Sequence, residues 1–281
     1  MKPLQISIVI LSLAGVISFF MLPKVVVENE SDSPVEKNLT SKSVRDKELN
    51  TEMVAKHTVK VQESDLNVLA DLKKQLAKAS NTEKKLIFAD SLSAYYRKLQ
   101  QYDSAAYYKE FAAELSPNEA RWAATGERYE EAFNFAIGDE RKTYLKKAQS
   151  YYNKVLDQDP KNLEVKSKLA MTYVSGEQPM KGVGLLKEVL KDDPENQTAL
   201  FNLGILSVQS KQFEKALERF DVLLKINPKY APAHFYKGVS YLSLGNKEQA
   251  LASFEKAKSL EKDKEFNAIV DDYIHQAEAG N

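Results

Sequence analysis

Side chains that could carry chemistry are few in this chain, and they do not group into a catalytic or metal-binding pattern. The three histidines, His57, His234 and His275, have no second histidine four residues away, and no HExxH or zinc-like spacing occurs. The absence of cysteine excludes disulfides, thiolate metal sites, a cysteine nucleophile and a lipoprotein anchor. We therefore predict that the chain has no metal and no cofactor.

The remaining candidate motifs have structural interpretations. Gly182 and Gly184 lack the preceding strand and the third glycine of a dinucleotide fingerprint. The acids Asp192 and Asp193 precede a proline at a predicted helix end, which is typical of a solvated turn. We interpret His234 as core packing rather than as a ligand, and we predict that the protein is not an enzyme.

Composition limits the class of protein. The chain has 281 residues, of which 43% are hydrophobic and 28% are charged, and its formal net charge is zero. A chain of this size can bury a large core, and its charge balance shows no bias toward polyanions. We predict no nucleic-acid partner.

An internal repeat organises the second half of the chain. Residues 197–229 contain two apolar stripes at helical spacing, separated by a polar break at residues 210–212. Three prolines, Pro160, Pro194 and Pro228, are spaced 34 residues apart, and this spacing is the repeat period. The pattern predicts repeated units of a helix, a tight turn and an antiparallel helix.

The period and its small and aromatic positions resemble the tetratricopeptide repeat family. Matching residues in the best unit are Leu200, Leu203, Gly204, Ser207, Ala216, Phe220, Leu223 and Pro228. The next unit supplies His234, Lys237, Gly238, Tyr241, Ala250, Phe254 and Ala257, with Lys262 at the proline position, and the unit before supplies Leu169, Ala170, Tyr173, Gly182, Leu186, Val189 and Pro194. The resemblance implies an all-α, right-handed superhelical solenoid of antiparallel helix pairs.

The repeat pattern predicts a domain organisation. We expect a cap helix at residues 64–85, followed by a degenerate repeat at 86–119. In this repeat Lys109 stands where the family usually has an aromatic residue, and we expect the neighbouring Tyr108 to take that role. An extended repeat at 120–162 is followed by regular repeats at 163–196, 197–230 and 231–264. Residues 265–278 are predicted to form a closing helix, because a solenoid needs a polar face at its ends.

An apolar run precedes the repeats. Residues 4–22 are almost free of strongly polar side chains and would span about 28 Å as a helix, close to the roughly 30 Å hydrocarbon core. We predict that residues 1–23 are a membrane anchor, with a cleaved secretory signal as the alternative. The short N-terminal tail favours a single-pass protein of the inner membrane with its repeats in the periplasm.

A charged segment joins this run to the repeats. Residues 24–63 contain acids first and then mixed bases and acids, with few aromatics. Such a composition buries too little apolar surface to offset its ordering entropy, so we predict a disordered linker. A flexible segment of this length, roughly 40 residues, would have a typical reach of about 35 Å.

The predicted function lies in the groove of the solenoid. In proteins that resemble this chain, the first helix of each repeat lines the inner face, and large apolar side chains there indicate an adhesive surface. Carried over by position, the predicted groove residues are Met171, Phe201, Asn202, Ile205, Val208, Phe235, Tyr236 and Val239. For Val208 and Val239, packing against the next repeat is an equally good interpretation.

The groove residues also limit the ligand. Family members that grip a peptide carboxylate use lysine, asparagine and arginine, and only Asn202 matches that set at the corresponding groove positions. We therefore predict an apolar or aromatic protein segment as the ligand. The predicted function is a non-catalytic, membrane-tethered scaffold that assists assembly of an envelope complex. The alternative is an accessory subunit of an enzyme or of a maturation system such as cytochrome c biogenesis.

Overall fold

The structure, a computed structural model, describes residues 61–279. Every regular element in this range is an α-helix. The helices are α1 (Glu63–Lys78), α2 (Thr82–Lys98), α3 (Tyr102–Leu115), α4 (Glu119–Phe135), α5 (Asp139–Gln158), α6 (Leu163–Val174), α7 (Pro179–Asp192), α8 (Gln197–Gln209), α9 (Phe213–Ile226), α10 (Ala231–Ser243), α11 (Lys247–Leu260) and α12 (Lys264–Ala279). The prediction of an all-helical fold is confirmed.

Asparagine side chains fix the starts of several helices. Asn81 accepts a hydrogen bond from the backbone N–H of Lys84 at 2.9 Å, which caps α2. Asn162 and Asn196 cap α6 and α8 in the same way, one repeat period apart. Each cap satisfies a backbone donor that has no partner inside its helix, which stabilises the helix by about 1 kcal/mol.

The turns between paired helices repeat a backbone conformation. Gln100 and Lys211 have positive φ values of 59° and 58°, and Gly245 has a φ of 79°. Lys211 and Gly245 occupy the same place in successive repeats. A left-handed residue ends the first helix of a pair and redirects the chain into the second.

Two compact units divide the described chain. Within the described residues, the first comprises residues 61–116 and 131–137, and the second comprises residues 117–130 and 138–279, so the two ends of α4 belong to different units. In the first unit, α1 to α3 enclose a core that includes Leu69, Leu92 and Tyr96. The Tyr108 ring stacks on the Tyr96 ring with centroids 5.6 Å apart, so Tyr108 supplies the aromatic contact expected of it.

Close approach of paired helices builds the second unit. We call α6, α8 and α10 the A helices and α7, α9 and α11 their B helices, because each A helix packs against the B helix that follows. A Cβ atom added to Gly204 would lie closer than 3.0 Å to the Phe220 ring, and one added to Gly238 would meet the Phe254 ring in the same way. Glycine on one helix and an aromatic ring on the other therefore interlock at equivalent positions of two repeats.

The closing helix covers the last repeat. Phe266 and Val270 of α12 are fully buried, and Tyr273 packs edge-on against Phe235 with centroids 5.1 Å apart. The face of α12 that carries these residues packs against α10 and α11.

The predicted anchor and nearly all of the predicted linker fall within residues 1–60, which lie outside the described residues. Within residues 61–279, no helix has the length and apolar character needed to cross a bilayer. The superhelical handedness stays a prediction.

Candidate protein-binding surface

Equivalent positions of the A helices form a row of side chains that we call the helix-A stripe. The A helices α6, α8 and α10 contact one another directly in chain order. Positions one repeat period apart therefore follow one another across this layer. The stripe consists of Glu164, Lys168 and Met171 on α6 with Ser175 at its C-cap, Thr198, Asn202, Ile205 and Gln209 on α8, and Pro232, Tyr236, Val239 and Ser243 on α10.

Solvent reaches the stripe on α6 and α8. Met171, Asn202 and Ile205 are half-buried, and Glu164, Thr198 and Gln209 are exposed. On α10, by contrast, Pro232, Tyr236 and Val239 are buried. The accessible part of the stripe therefore has Met171 and Ile205 at its apolar centre and polar side chains around them.

Five of the eight predicted groove residues are core residues instead. The exposed fractions are 7% for Phe201 and Val208, 5% for Phe235, 4% for Tyr236 and 8% for Val239. The expectation that these side chains are accessible to a partner is therefore corrected, while ligand binding by the groove stays a prediction. An A helix packs against neighbours on more than one side, which buries apolar residues beyond those of its repeat pattern.

Phe201 illustrates this packing. Its ring contacts Tyr230 and Tyr236 edge-on, with centroids 5.1 and 5.8 Å away, and lies 6.3 Å from Phe220. Phe235 lies in a similar cluster one repeat later, where Phe254 and Phe266 pack against it. These rings join consecutive repeats and close the end of the array.

Tyr236 combines an apolar environment with an unsatisfied hydroxyl group. Its hydroxyl oxygen is buried and has no hydrogen-bond partner within residues 61–279. Burial, with a smaller contribution from Tyr273, raises the pKa of Tyr236 above the usual range for a tyrosine. Leaving this hydroxyl unpaired on folding costs about 1 to 3 kcal/mol.

Lys168 lies on the stripe, although the sequence prediction omitted it. Its ammonium group donates hydrogen bonds to Glu127 of α4 at 2.5 Å and to Glu164 at 2.7 Å. Burial alone would lower the pKa of Lys168, but the two glutamates raise it overall, so the cation persists at neutral pH. The signal that could have identified it is its position one repeat period before Asn202.

A half-buried acid adjoins this ion-pair cluster. Tyr152 of α5 donates a hydrogen bond to a carboxylate oxygen of Glu130, and its ring lies over Gly126 of α4. Burial raises the pKa of Glu130 to about 7, against the opposing effects of Tyr152 and Lys168. Although part of the residue is accessible, its carboxyl group is surrounded closely enough that the ionised form is penalised.

The surroundings of the two described histidines fit a structural role. His234 is half-buried, its Nε2 lies 3.0 Å from the carbonyl oxygen of Pro228, and burial lowers its pKa. His275 is exposed on α12, and His57 lies outside the described range. Between residues 61 and 279, no group of three or more histidine and acidic side chains is arranged to hold a metal ion.

Comparisons with known proteins identify the repeat. Residues 181–234 and residues 231–264 each match a family described as "Tetratricopeptide repeat". The crystal structure of MamA protein is 17% identical over 65% of this chain and 95% of that chain, with a TM-score of 0.47. YrrB, described as a TPR protein with an unusual peptide-binding site, is 23% identical over 72% of this chain and 97% of that chain, with a TM-score of 0.42.

None of the curated proteins matches this chain. The two family matches cover the helices from α7 to α11, where the glycine and aromatic positions recur one repeat period apart. Residues 181–264 of this chain are therefore tetratricopeptide repeats.

Proposed function

We propose that this protein is a non-catalytic scaffold that binds a segment of a partner protein along the accessible helix-A stripe of α6 and α8. The observation that carries the proposal is the pair Met171 and Ile205, half-buried at equivalent positions of two contacting helices. Lys168 and Asn202 lie beside them, one helical turn away. An apolar centre with a polar rim is the usual composition of a protein-binding surface.

The spacing of the stripe indicates the form of the ligand. Axes of contacting helices lie about 8 to 10 Å apart, which is close to the roughly 7 Å between neighbouring side chains on one face of an extended strand. A peptide crossing the A helices could thus place an apolar side chain on Met171 and another on Ile205. Asn202 and Gln209 carry amide groups that can both donate to and accept from its backbone.

Ile205→Asp should weaken partner capture by at least about tenfold, because a carboxylate would replace the apolar centre of the surface. The measurement is photo-crosslinking of the full chain in the cells that produce it, followed by identification and quantification of the captured proteins. A photoreactive residue at position 171 should report the same partner.

Val222→Asp is the matched control, since Val222 is exposed on the B helix α9 and undergoes a comparable substitution. It should leave capture and helicity unchanged. Equal losses in the two variants, or full capture by Ile205→Asp, would contradict the assignment of the stripe.

We extend the proposal to a membrane-tethered scaffold that serves an envelope complex from the periplasmic side. The apolar run at residues 4–22 and the charged segment after it support this part of the proposal. A β-lactamase fused to the C-terminus of the full chain should then confer resistance. A fusion that is active only in the cytoplasm would contradict the proposed orientation.

A further inference from the structure

A surface basin with a chemical character of its own lies in the first unit, separate from the helix-A stripe. It has a volume of about 410 Å³ and lies where α1, α2 and α3 meet. Its lining consists of Lys73, Leu76 and Ala77 of α1, Lys85 of α2, and Tyr108 and Phe111 of α3.

One wall of the basin is apolar, and its side chains are held by packing against the core of the first unit. Leu76 and Tyr108 pack against the core cluster of this unit, and the Tyr108 ring stacks on Tyr96. Phe111 adds a second half-buried aromatic ring. These anchored side chains offer a ligand an apolar contact that requires little further ordering.

The rim of the basin is cationic. The Lys73 ammonium lies 5.5 Å from the centroid of the Tyr96 ring, and its hydrogen bond with Tyr96 raises the pKa of Lys73. Lys85 provides a second cation, and none of the six lining residues is acidic. A complementary ligand therefore carries apolar side chains and carboxylates close together.

The chain itself contains such a segment. Residues 25–36 read VVVENESDSPVE, in which three consecutive valines are followed by four acids. The geometry points to docking of residues 25–36 into this basin of the same chain, with valine side chains against Leu76 and Tyr108 and carboxylates beside Lys73 and Lys85.

The length of the intervening chain permits this contact. The roughly 25 residues from Glu36 to Val61 would have a typical reach of about 28 Å as a flexible chain. From the start of α1, the basin lies about 15 to 21 Å along the helix, at 1.5 Å per residue. A flexible connection of this length gives an effective concentration on the order of millimolar, so an intrinsic Kd of about 100 μM would give roughly 90% occupancy.

Docking would shorten the distance that the charged segment spans. A free segment of about 40 residues separates its ends by roughly 35 Å, whereas a docked segment holds residue 24 beside α1 and α2. The first unit would then be held close to the predicted anchor, in a manner that salt weakens.

Cysteine crosslinking tests the docking cleanly, because the natural chain has no cysteine. The full chain carrying Ser31→Cys and Ala77→Cys should form an intramolecular disulfide about tenfold faster than the chain carrying Ser31→Cys and Val68→Cys. Ala77 and Val68 are both exposed on α1, and nine residues at about 100° each place them on opposite sides of the helix. Val68 is also nearer to residue 31 along the chain, so a freely moving segment would favour the control pair.

Charge reversal provides a second measurement. Lys85→Glu should reduce the rate for the Ser31–Ala77 pair to that of the control pair, and about 1 M salt should do the same. Equal disulfide rates for the two unmodified pairs would overturn the proposal. A disulfide that forms between chains instead would also overturn it, since it would assign the basin to a second copy. Circular dichroism of the Lys85→Glu chain verifies that it folds.

Discussion

Replacing Gly182 by alanine should lower the free energy of unfolding by about 3 kcal/mol, whereas Gly184→Ala, on the same helix, should raise it by about 0.5 to 1 kcal/mol. A Cβ atom on Gly182 would lie closer than 3.0 Å to the carbonyl oxygen of Ala170 and to a methyl group of Val174. The backbone of α6 cannot move aside as a flexible side chain could. Nothing lies within 4 Å of a Cβ atom on Gly184, so alanine there adds only its better helix propensity.

Urea denaturation of the full-length variants, followed by far-UV circular dichroism, measures both effects. The two substitutions are chemically identical and occur in α7, which makes each the control for the other. Faster hydrogen exchange of the α6 and α7 amides in the Gly182 variant should locate the loss. Equal midpoints for the two variants would contradict the close approach of α6 and α7.

The substitution Glu130→Gln should raise the free energy of unfolding at pH 8 by up to about 3 kcal/mol and leave it nearly unchanged at pH 4. With a pKa of about 7, the folded protein binds this proton more tightly than the unfolded chain does. The resulting stabilisation is complete below about pH 4.5 and is lost as the pH rises through about 7. Glutamine stays neutral and can still accept the hydrogen bond from Tyr152.

Urea midpoints recorded at half-unit intervals from pH 4 to pH 8 test this prediction. The difference between the variant and the natural chain should grow through that window and then level off. Glu127→Gln is the control, because it removes only a partly exposed contact with Lys168 and should cost less than about 1 kcal/mol. Parallel pH profiles for Glu130→Gln and the natural chain would show that the carboxyl group is solvated.

The repeat architecture could be predicted because its determinants are local and periodic. The equal spacing of Pro160, Pro194 and Pro228 located the helix pairs, and the small residue at Gly204 indicated close packing with the second helix of its pair. Phe220 does lie against that glycine. Asparagine caps and turn positions are likewise readable within a few residues of the helix ends they define.

The accessible surface could not be predicted in the same way. Phe201 and Ile205 are both apolar residues of α8, four positions apart, but Phe201 is enclosed by three aromatic rings from other elements and Ile205 is half-buried. Periodicity identifies an apolar residue but does not say which neighbour encloses it. The raised pKa of Glu130 could not be predicted from the sequence either, since it depends on the packing of Tyr152 against α4.

The packing of α12 covers the apolar end of the last helix pair. Its residues Phe266 and Tyr273 occupy the apolar side of Phe235, the side on which a further helix pair would otherwise stack. Without α12, the rings of Phe235 and Phe254 would lose the cover of Phe266 and Tyr273 and would be exposed to water. Deletion of α12 would therefore turn a packed end into an apolar surface patch of the kind that promotes association.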